Sequence, residues 1–398
     1  AHNVFLRLGD NPYVMVLTVV WVSGIVSGFL DNIPFTISMV PVGQMMMVEC
    51  PLPHNLLWWA LALGACFGGN LTMVGASANI VALGSAKQAG VGFVRKLGMD
   101  LVLPRLNWQE DPLMVCLDAD TLVEANYLQS IFAHFHRAAL GAAVLPFRHQ
   151  PGGDVVQQAA IDRYELFLRS YVYGLRLAGS PYAFNSLGSA IACRAEAYVR
   201  CGGMNNRKAG EDFYFLQKLA KTDGVDLMTG TRVFPEPRVS SRVPFGTGRS
   251  MGRLLEGDTE GVLFYPVAAF EILSDWLLSV TQNLAADAER LFSRAERLSA
   301  VLADYLVQID WHATWPKLQT NNPTEKGRAE AFHSWFDGFR TLRLIHLLCD
   351  AGLSRGEPEE MLPAFFTWDG RDCTKTMPAM LEELRLYDQP SFATSHED

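Results

Sequence analysis

Two aspartates separated by a single alanine, Asp118 and Asp120, stand at the end of the apolar run PLMVCL, and an amphipathic stretch, TLVEANYL, follows them. A buried strand that ends in this way delivers carboxylates to the rim of a sheet. Open α/β sheets take their ligands there, beyond the carboxyl ends of the strands. Two carboxylates so close repel each other unless a cation neutralises them. A hard divalent ion such as Mg2+ or Mn2+, carrying a diphosphate, would do so with one or two carboxylate ligands and the rest from phosphate and water. A second acidic pair, Glu211 and Asp212, follows Gly210 in AGEDFYFLQKLAKTDG. Acidic side chains at a helix start complement its dipole, and a carboxylate there can equally take a proton from an acceptor hydroxyl.

The elements that must position these residues follow from periodicity. After Asp120, Val123, Tyr127, Leu128, Ile131, Phe132 and Phe135 keep a helical rhythm up to Gly141, and AAVLPF then reads as a strand. This predicts a β-α-β unit around the aspartates. DVVQQAAIDRYELFLRSYVYGLRLAGS predicts a long amphipathic helix ending near Gly179, and a short buried strand is expected at Ala190 to Cys193. The acidic pair opens a helix with Phe213, Leu216, Leu219 and Ala220 inward. Upstream, Val91, Val94, Leu97, Leu101 and Val102 mark another helix, with Arg95 and Lys96 on its polar side. Helical patterns return over 262–312 and 326–350 with charges too frequent for a membrane span; His312, His333 and His346 have no metal-ligand spacing.

In this order, the Asp-x-Asp strand, the glycine-bearing LGSAIA strand and the Gly-Glu-Asp helix resemble the family 2 glycosyltransferases over about residues 90–255, and GVGFVRKLGMD is similar to the helix that precedes the Asp-x-Asp strand there. The resemblance implies a partial GT-A-like fold and an inverting, metal-dependent transfer from a nucleotide sugar to an acceptor hydroxyl. Carried over by position, Asp118 and Asp120 would hold the metal, Asp212 would be the general base with Glu211 beside it, and Arg95 would face the nucleotide. Gly188 and Gly210 would let backbone approach donor or acceptor, or serve packing and turns. In PEPRVSSRVPFGTGRSMGR, Arg238, Arg242, Arg249 and Arg253 form a basic loop that either closes over a diphosphate or is a solvated surface. The family's first nucleotide-binding strand and helix have no counterpart in residues 1–89, so weak transfer or none is expected.

Residues 1–90 have a different character. Of 33 Lys and Arg and 42 Asp and Glu, only Arg7, Asp10, Asp31, Glu49 and Lys87 fall in this stretch. Twenty uncharged residues lie between Asp10 and Asp31, enough for a helix across the ~30 Å hydrocarbon core. Pro34, Pro41, Gly68, Gly69 and Gly75 interrupt the runs that follow, as in broken segments lining an ion path. GFLDNIPFTISMVPV and ALGACFGGNLTMVGASANIVALG resemble two signature segments of the ion-transporter superfamily that includes arsenite and sodium/proton antiporter-like proteins, citrate transporters and P protein. That resemblance nominates Asp31, Asn32, Asn70, Thr72, Ser77 and Asn79 as ion or substrate contacts. About three apolar segments are present, against the ten or more spans of that family.

The expected fold class is mixed: an N-terminal transmembrane helical segment over 1–89, a partial α/β GT-A-like sheet over 90–255 and a soluble α-helical extension over 256–398. The expected partners are membrane lipid through residues 1–89, a nucleotide-sugar donor and an unspecified glycosyl acceptor; the expected location is the membrane, with the catalytic part cytoplasmic. The alternatives are a fragment of an ion or organic-anion transporter, or a nonfunctional fusion of incomplete parts. A net charge of -9 argues against nucleic acid as a partner. The seven cysteines are scattered without Cys-x-x-Cys spacing and read as reduced, mostly buried thiols.

Overall fold

A computed structural model of the chain describes residues 12–27, 36–41, 44, 56, 58, 60–63, 90–207, 209–240, 246–372 and 376–387. The chain divides into two compact units, residues 1–90 and 91–398.

In the first unit, helix α1 runs Pro12–Ser27 with the sequence PYVMVLTVVWVSGIVS. Proline at its first position carries the helical φ and lacks an N–H that a first turn would leave unpaired. Val19, Ser23 and Ser27 form a buried stripe at four-residue spacing, whereas Leu17, Trp21 and Ile25 are exposed. Two of its hydroxyls bond to the helix's own backbone: Thr18 Oγ1 donates to the Val14 carbonyl at 2.7 Å and Ser23 Oγ to the Val19 carbonyl. The expectation of an N-terminal transmembrane segment is corrected here. At 16 residues the helix is about 24 Å long, short of the ~30 Å hydrocarbon core. Among the described residues no helix is long and apolar enough to cross a membrane. Lack of charge along a stretch does not by itself fix the length of a continuous helix.

The second unit starts with α2, Val91–Val102. The Asp-bearing strand β1 is Leu113–Cys116, followed by the short β2, Leu122–Val123, and by α3, Tyr127–Arg137. Next come β3, Ala142–Val144, and α4, Val155–Leu177. After them lie β4, Ile191–Arg194, α5, Ala195–Arg200, and α6, Glu211–Thr222. The strands end with β5, Val225–Leu227, and β6, Val233–Phe234. α7, Thr247–Leu255, leads into the remaining helices. These are α8, Val267–Thr281; α9, Ala288–Leu298; α10, Ala300–Gln308; and α11, Trp311–Asn321. The last are α12, Glu325–Trp335; α13, Gly338–Asp350; α14, Pro358–Trp368; and α15, Met377–Tyr387.

The main sheet has the order β1-β4-β3-β5, and β2 pairs with β6 separately. β1 and β3 are joined through α3 as the β-α-β pattern requires, yet β4 lies between them and runs antiparallel to both. In the main sheet, among the described residues, β5 pairs in parallel with β3. Side chains alternate between the two faces. Met114, Cys116, Ala142, Val144 and Cys193 pack with Tyr198, Phe215, Leu216 and Leu219 on one side. Ala143 and Ala192 face Tyr127, Ile131 and Phe135 of α3 on the other. The α/β expectation is thereby also corrected: strands of two to four residues form a small mixed sheet inside a mainly helical unit.

The largest core belongs to the helices. Leu166, Tyr173 and Leu175 of α4 share it with Phe270, Leu273, Trp276 and Leu277 of α8 and with Trp311, Trp315, Phe332 and Phe336. α4 starts where Asp154 accepts from the Gln157 N–H at 2.7 Å, an N-cap, and ends before Gly179, whose φ of 71° is the left-handed stop that glycine takes cheaply. Gly174 of α4 lets α8 approach, since a Cβ there would stand 2.7 Å from the Phe270 ring.

Candidate functional site

Asp118 lies two residues beyond β1, in a turn closed by the Thr121 N–H donating to its carbonyl at 3.1 Å. Its carboxylate is 44% exposed and pairs with Arg95, which reaches it from α2. The same guanidinium donates to the Gly188 carbonyl, in the loop ahead of β4, and its Nε stands 3.7 Å from Oε1 of Glu211, the first residue of α6. Gly188 has to be glycine for this: a Cβ would meet Arg95 Nη1 at 2.5 Å and Cζ at 2.6 Å. Gly92 on α2 is equally constrained, because a Cβ would lie 2.5 Å from the Arg207 carbonyl and 2.8 Å from Glu211 Cβ. Gly210 takes a φ of 69° and turns the chain into α6, so that Glu211 is buried against Arg95. The sequence-nominated Arg95, Asp118 and Glu211 are thus brought together.

Asp212 follows on α6, and its Oδ1 accepts from the Phe213 N–H at 2.8 Å. Burial pushes its carboxyl up to about 6, the neighbouring Glu211 adds to the rise, and the Phe213 N–H and Arg95 hold it back. It is a carboxylate poised to exchange a proton near neutrality, the range a general base needs. Burial works against the charge of Arg95, but Asp118 and the acidic pair outweigh it and raise its pKa further. Two residues that pattern reading passed over belong to the same surroundings. The buried Cys116 thiol is pushed up to about 11 by desolvation, with Arg95 pulling the other way. Tyr164 of α4 is pushed up to about 12 by burial; hydrogen bonds with Thr247 and Ser250 on α7 oppose the shift and Asp212 reinforces it. Tyr164 lies within an amphipathic helix pattern and carries no signal that separates it from core.

Asp120 goes a different way from Asp118. Its Oδ2 lies 2.6 Å from Arg238 Nη2, and its carbonyl accepts from Gln150 Nε2 at 2.9 Å. The two aspartates are therefore each neutralised by a separate arginine. Among the described residues no group of three or more His, Cys, Asp or Glu side chains gathers as a metal-binding cluster. Arg249 stands exposed on the first turn of α7. Asp31, Asn32, Asn70, Thr72, Ser77 and Asn79 lie outside the described residues.

The P protein of Sus scrofa is 54% identical over 80 residues, which is 20% of this chain and 10% of that protein. A 46 kDa membrane protein of Mycobacterium leprae is 48% identical over 84 residues, 21% of this chain and 20% of that protein. An uncharacterized transporter of Mycobacterium tuberculosis matches to the same extent. The transporter resemblance is supported. The chain spans only a tenth to a fifth of the length of these relatives. Their names are those of membrane proteins and transporters, and they support a membrane location. No family model matches the chain, and no solved structure matches it. The glycosyltransferase resemblance is corrected accordingly: nothing among these comparisons supports it, and the relatives favour the transporter alternative.

Proposed function

We propose that this chain is a membrane-associated protein that carries a segment of the P-protein-like transporter kind, acting on an ion or an organic anion. The identity of 54% over 80 residues to a P protein carries this reading. The polar residues Asp31, Asn32, Asn70, Thr72, Ser77 and Asn79, set among uncharged neighbours, are the candidate contacts, because polar groups at breaks in an apolar segment can replace the hydration of an ion. Flux of sodium, protons or citrate into proteoliposomes tests it. Loss of flux in Asn70→Ala and Asn79→Ala is expected; flux equal to that of the parent in both variants rejects the assignment.

The arrangement of Arg95, Asp118, Glu211 and Asp212 favours a second reading for residues 91–387: binding of a nucleotide-linked diphosphate together with a divalent cation. Its support is a carboxylate–guanidinium cluster at the end of a strand, next to a carboxyl raised to about 6. Asp118 and Asp120 offer the oxygen donors that Mg2+ or Mn2+ takes with a diphosphate, and such a cation, when bound, would offset part of the diphosphate charge. Asp212 can exchange a proton with a hydroxyl beside it, Glu211 holds Arg95, and the exposed Arg238 and Arg249 meet phosphate oxygens. Mn2+-dependent binding of a panel of nucleotide sugars is expected to weaken in Asp120→Asn and to lose its pH dependence near about 6 in Asp212→Asn. Affinity and pH profile equal to the parent's in both variants exclude these roles.

A further inference from the structure

The Asp120 turn is linked to helix α15 by buried and half-buried hydrogen bonds that meet at the segment Phe147 to Gln150. Glu165 of α4 is completely buried and uses both oxygens. Oε1 accepts from Arg169 Nε at 3.0 Å and from Arg385 Nε of α15 at 2.7 Å. Oε2 accepts from the backbone N–H of His149 at 2.9 Å and meets His149 Nδ1 at the same distance. Arg169 also donates to the Phe147 carbonyl, so the segment from Phe147 to His149 is held from both sides. The next residue, Gln150, is directed inward: its Nε2 donates to the carbonyls of Asp120 at 2.9 Å and Phe234 at 2.8 Å. Its own N–H donates to the Pro235 carbonyl at 2.9 Å, and Gln157 Nε2 holds the Pro237 carbonyl at 2.9 Å, next to Arg238.

One carboxamide thus clamps both chains that present the Asp120–Arg238 pair, and one buried carboxylate fixes the backbone from which that carboxamide extends. We propose that Gln150 is a positioning residue for Asp120 and Arg238, and that docking of the C-terminal helix α15 through Arg385 and Glu165 sets it. A diphosphate-bearing ligand at Asp120 then depends on a helix that never touches it. This deepens the diphosphate-binding reading and rests on it for the ligand, while the geometry stands without it. Gln150 holds the main-chain carbonyl of Asp120 and not its carboxylate, so it acts through the position of the turn; outer partners of a ligand typically change affinity ten- to a hundredfold, the lower figure is expected here, and a shared network shows itself as non-additivity.

The test uses the full chain and Mn2+ with inorganic diphosphate as probe, comparing the parent with Gln150→Met, Arg385→Met, the double variant, Arg385→Lys and Leu386→Ser, a change on the exposed side of α15. Gln150→Met and Arg385→Met are each expected to weaken binding about tenfold, the double variant no further than Gln150→Met, Arg385→Lys to recover part of the loss, and Leu386→Ser to match the parent. Unchanged affinity in Gln150→Met, or fully additive losses in the double variant, overturns the proposal. Should Arg385→Met fail to fold, Gln150→Met and Arg385→Lys still decide it. Hydrogen exchange at the Thr121 amide reads the same turn without ligand. If the parent binds no Mn2+–diphosphate, the cation reading falls. Faster Thr121 exchange in Gln150→Met and Arg385→Met but not in Leu386→Ser then upholds the positioning role, and unchanged exchange overturns it.

Discussion

Arg238 reaches Asp120 at 2.6 Å, Nη2 to Oδ2, while the carboxylate two residues earlier belongs to Arg95. The pair is partly exposed, so Arg238→Ala is expected to change stability by less than about 1 kcal/mol in a denaturant melt. Its effect on ligands should split. Bare Mn2+ no longer competes with a guanidinium for Asp120 and should bind more tightly; diphosphate loses a cationic contact and should bind less tightly. Binding titrations of each probe check this, and a shift of both in one direction refutes the competition.

Asp212 makes the folded state dependent on pH. Its carboxyl lies at about 6 when folded against an ordinary 3.8, so the folded state binds a proton that the unfolded state has released between these values. Stability is therefore lost as pH rises from about 4 to 6, and the penalty persists above 6. Asp212→Asn removes it and should stabilise the protein at pH 8 by up to about 3 kcal/mol, with no gain at pH 3.5. Urea melts at the two pH values measure the difference; a gain that ignores pH contradicts the assignment.

Gly188→Ala places a methyl group against the Arg95 guanidinium, 2.5 Å from Nη1. A flexible side-chain end can move, so the expected cost is modest, about 1–3 kcal/mol, but Arg95 must leave the Gly188 carbonyl. Because Arg95 holds the Asp212 carboxyl down, its displacement should raise the apparent Asp212 pKa above about 6. The pH dependence of stability, compared between Gly188→Ala alone and combined with Asp212→Asn, reports the shift.

Glu165 carries the opposite sign. Burial alone would raise its carboxyl, yet His149, Arg169 and Arg385 hold it well below the usual range. The stability it contributes is complete above its unfolded pKa of about 4.3 and is lost as pH falls toward the folded value. Glu165→Gln removes the carboxylate that Arg169 and Arg385 share, although Arg385 keeps Asp162 and Glu382, and should cost roughly 3 kcal/mol at pH 7, narrowing below pH 4. A cost that stays constant down to pH 3 would show that packing, not charge, is what was lost.

The residues themselves determined the local events. An apolar run and its abrupt change to polar residues put Asp118 just past the end of a strand, and Gly210, tolerant of positive φ, opens the helix carrying Glu211 and Asp212. The long helix stops at Gly179, as its left-handed φ demands. These signals are legible because each acts over one or two turns of chain. Residues 1–90 show the limit of that rule: lack of charge sets an upper bound on a helix, whereas its actual span depends on where the backbone keeps bonding to itself, and the described helix α1 covers 16 residues. What only tertiary structure decided is pairing. Arg95 finds Gly188 across 93 positions and Arg385 finds Glu165 across 220. No periodicity records such distances. They are settled by which polar groups become buried together, since a buried charge without a partner costs more than the fold can offset.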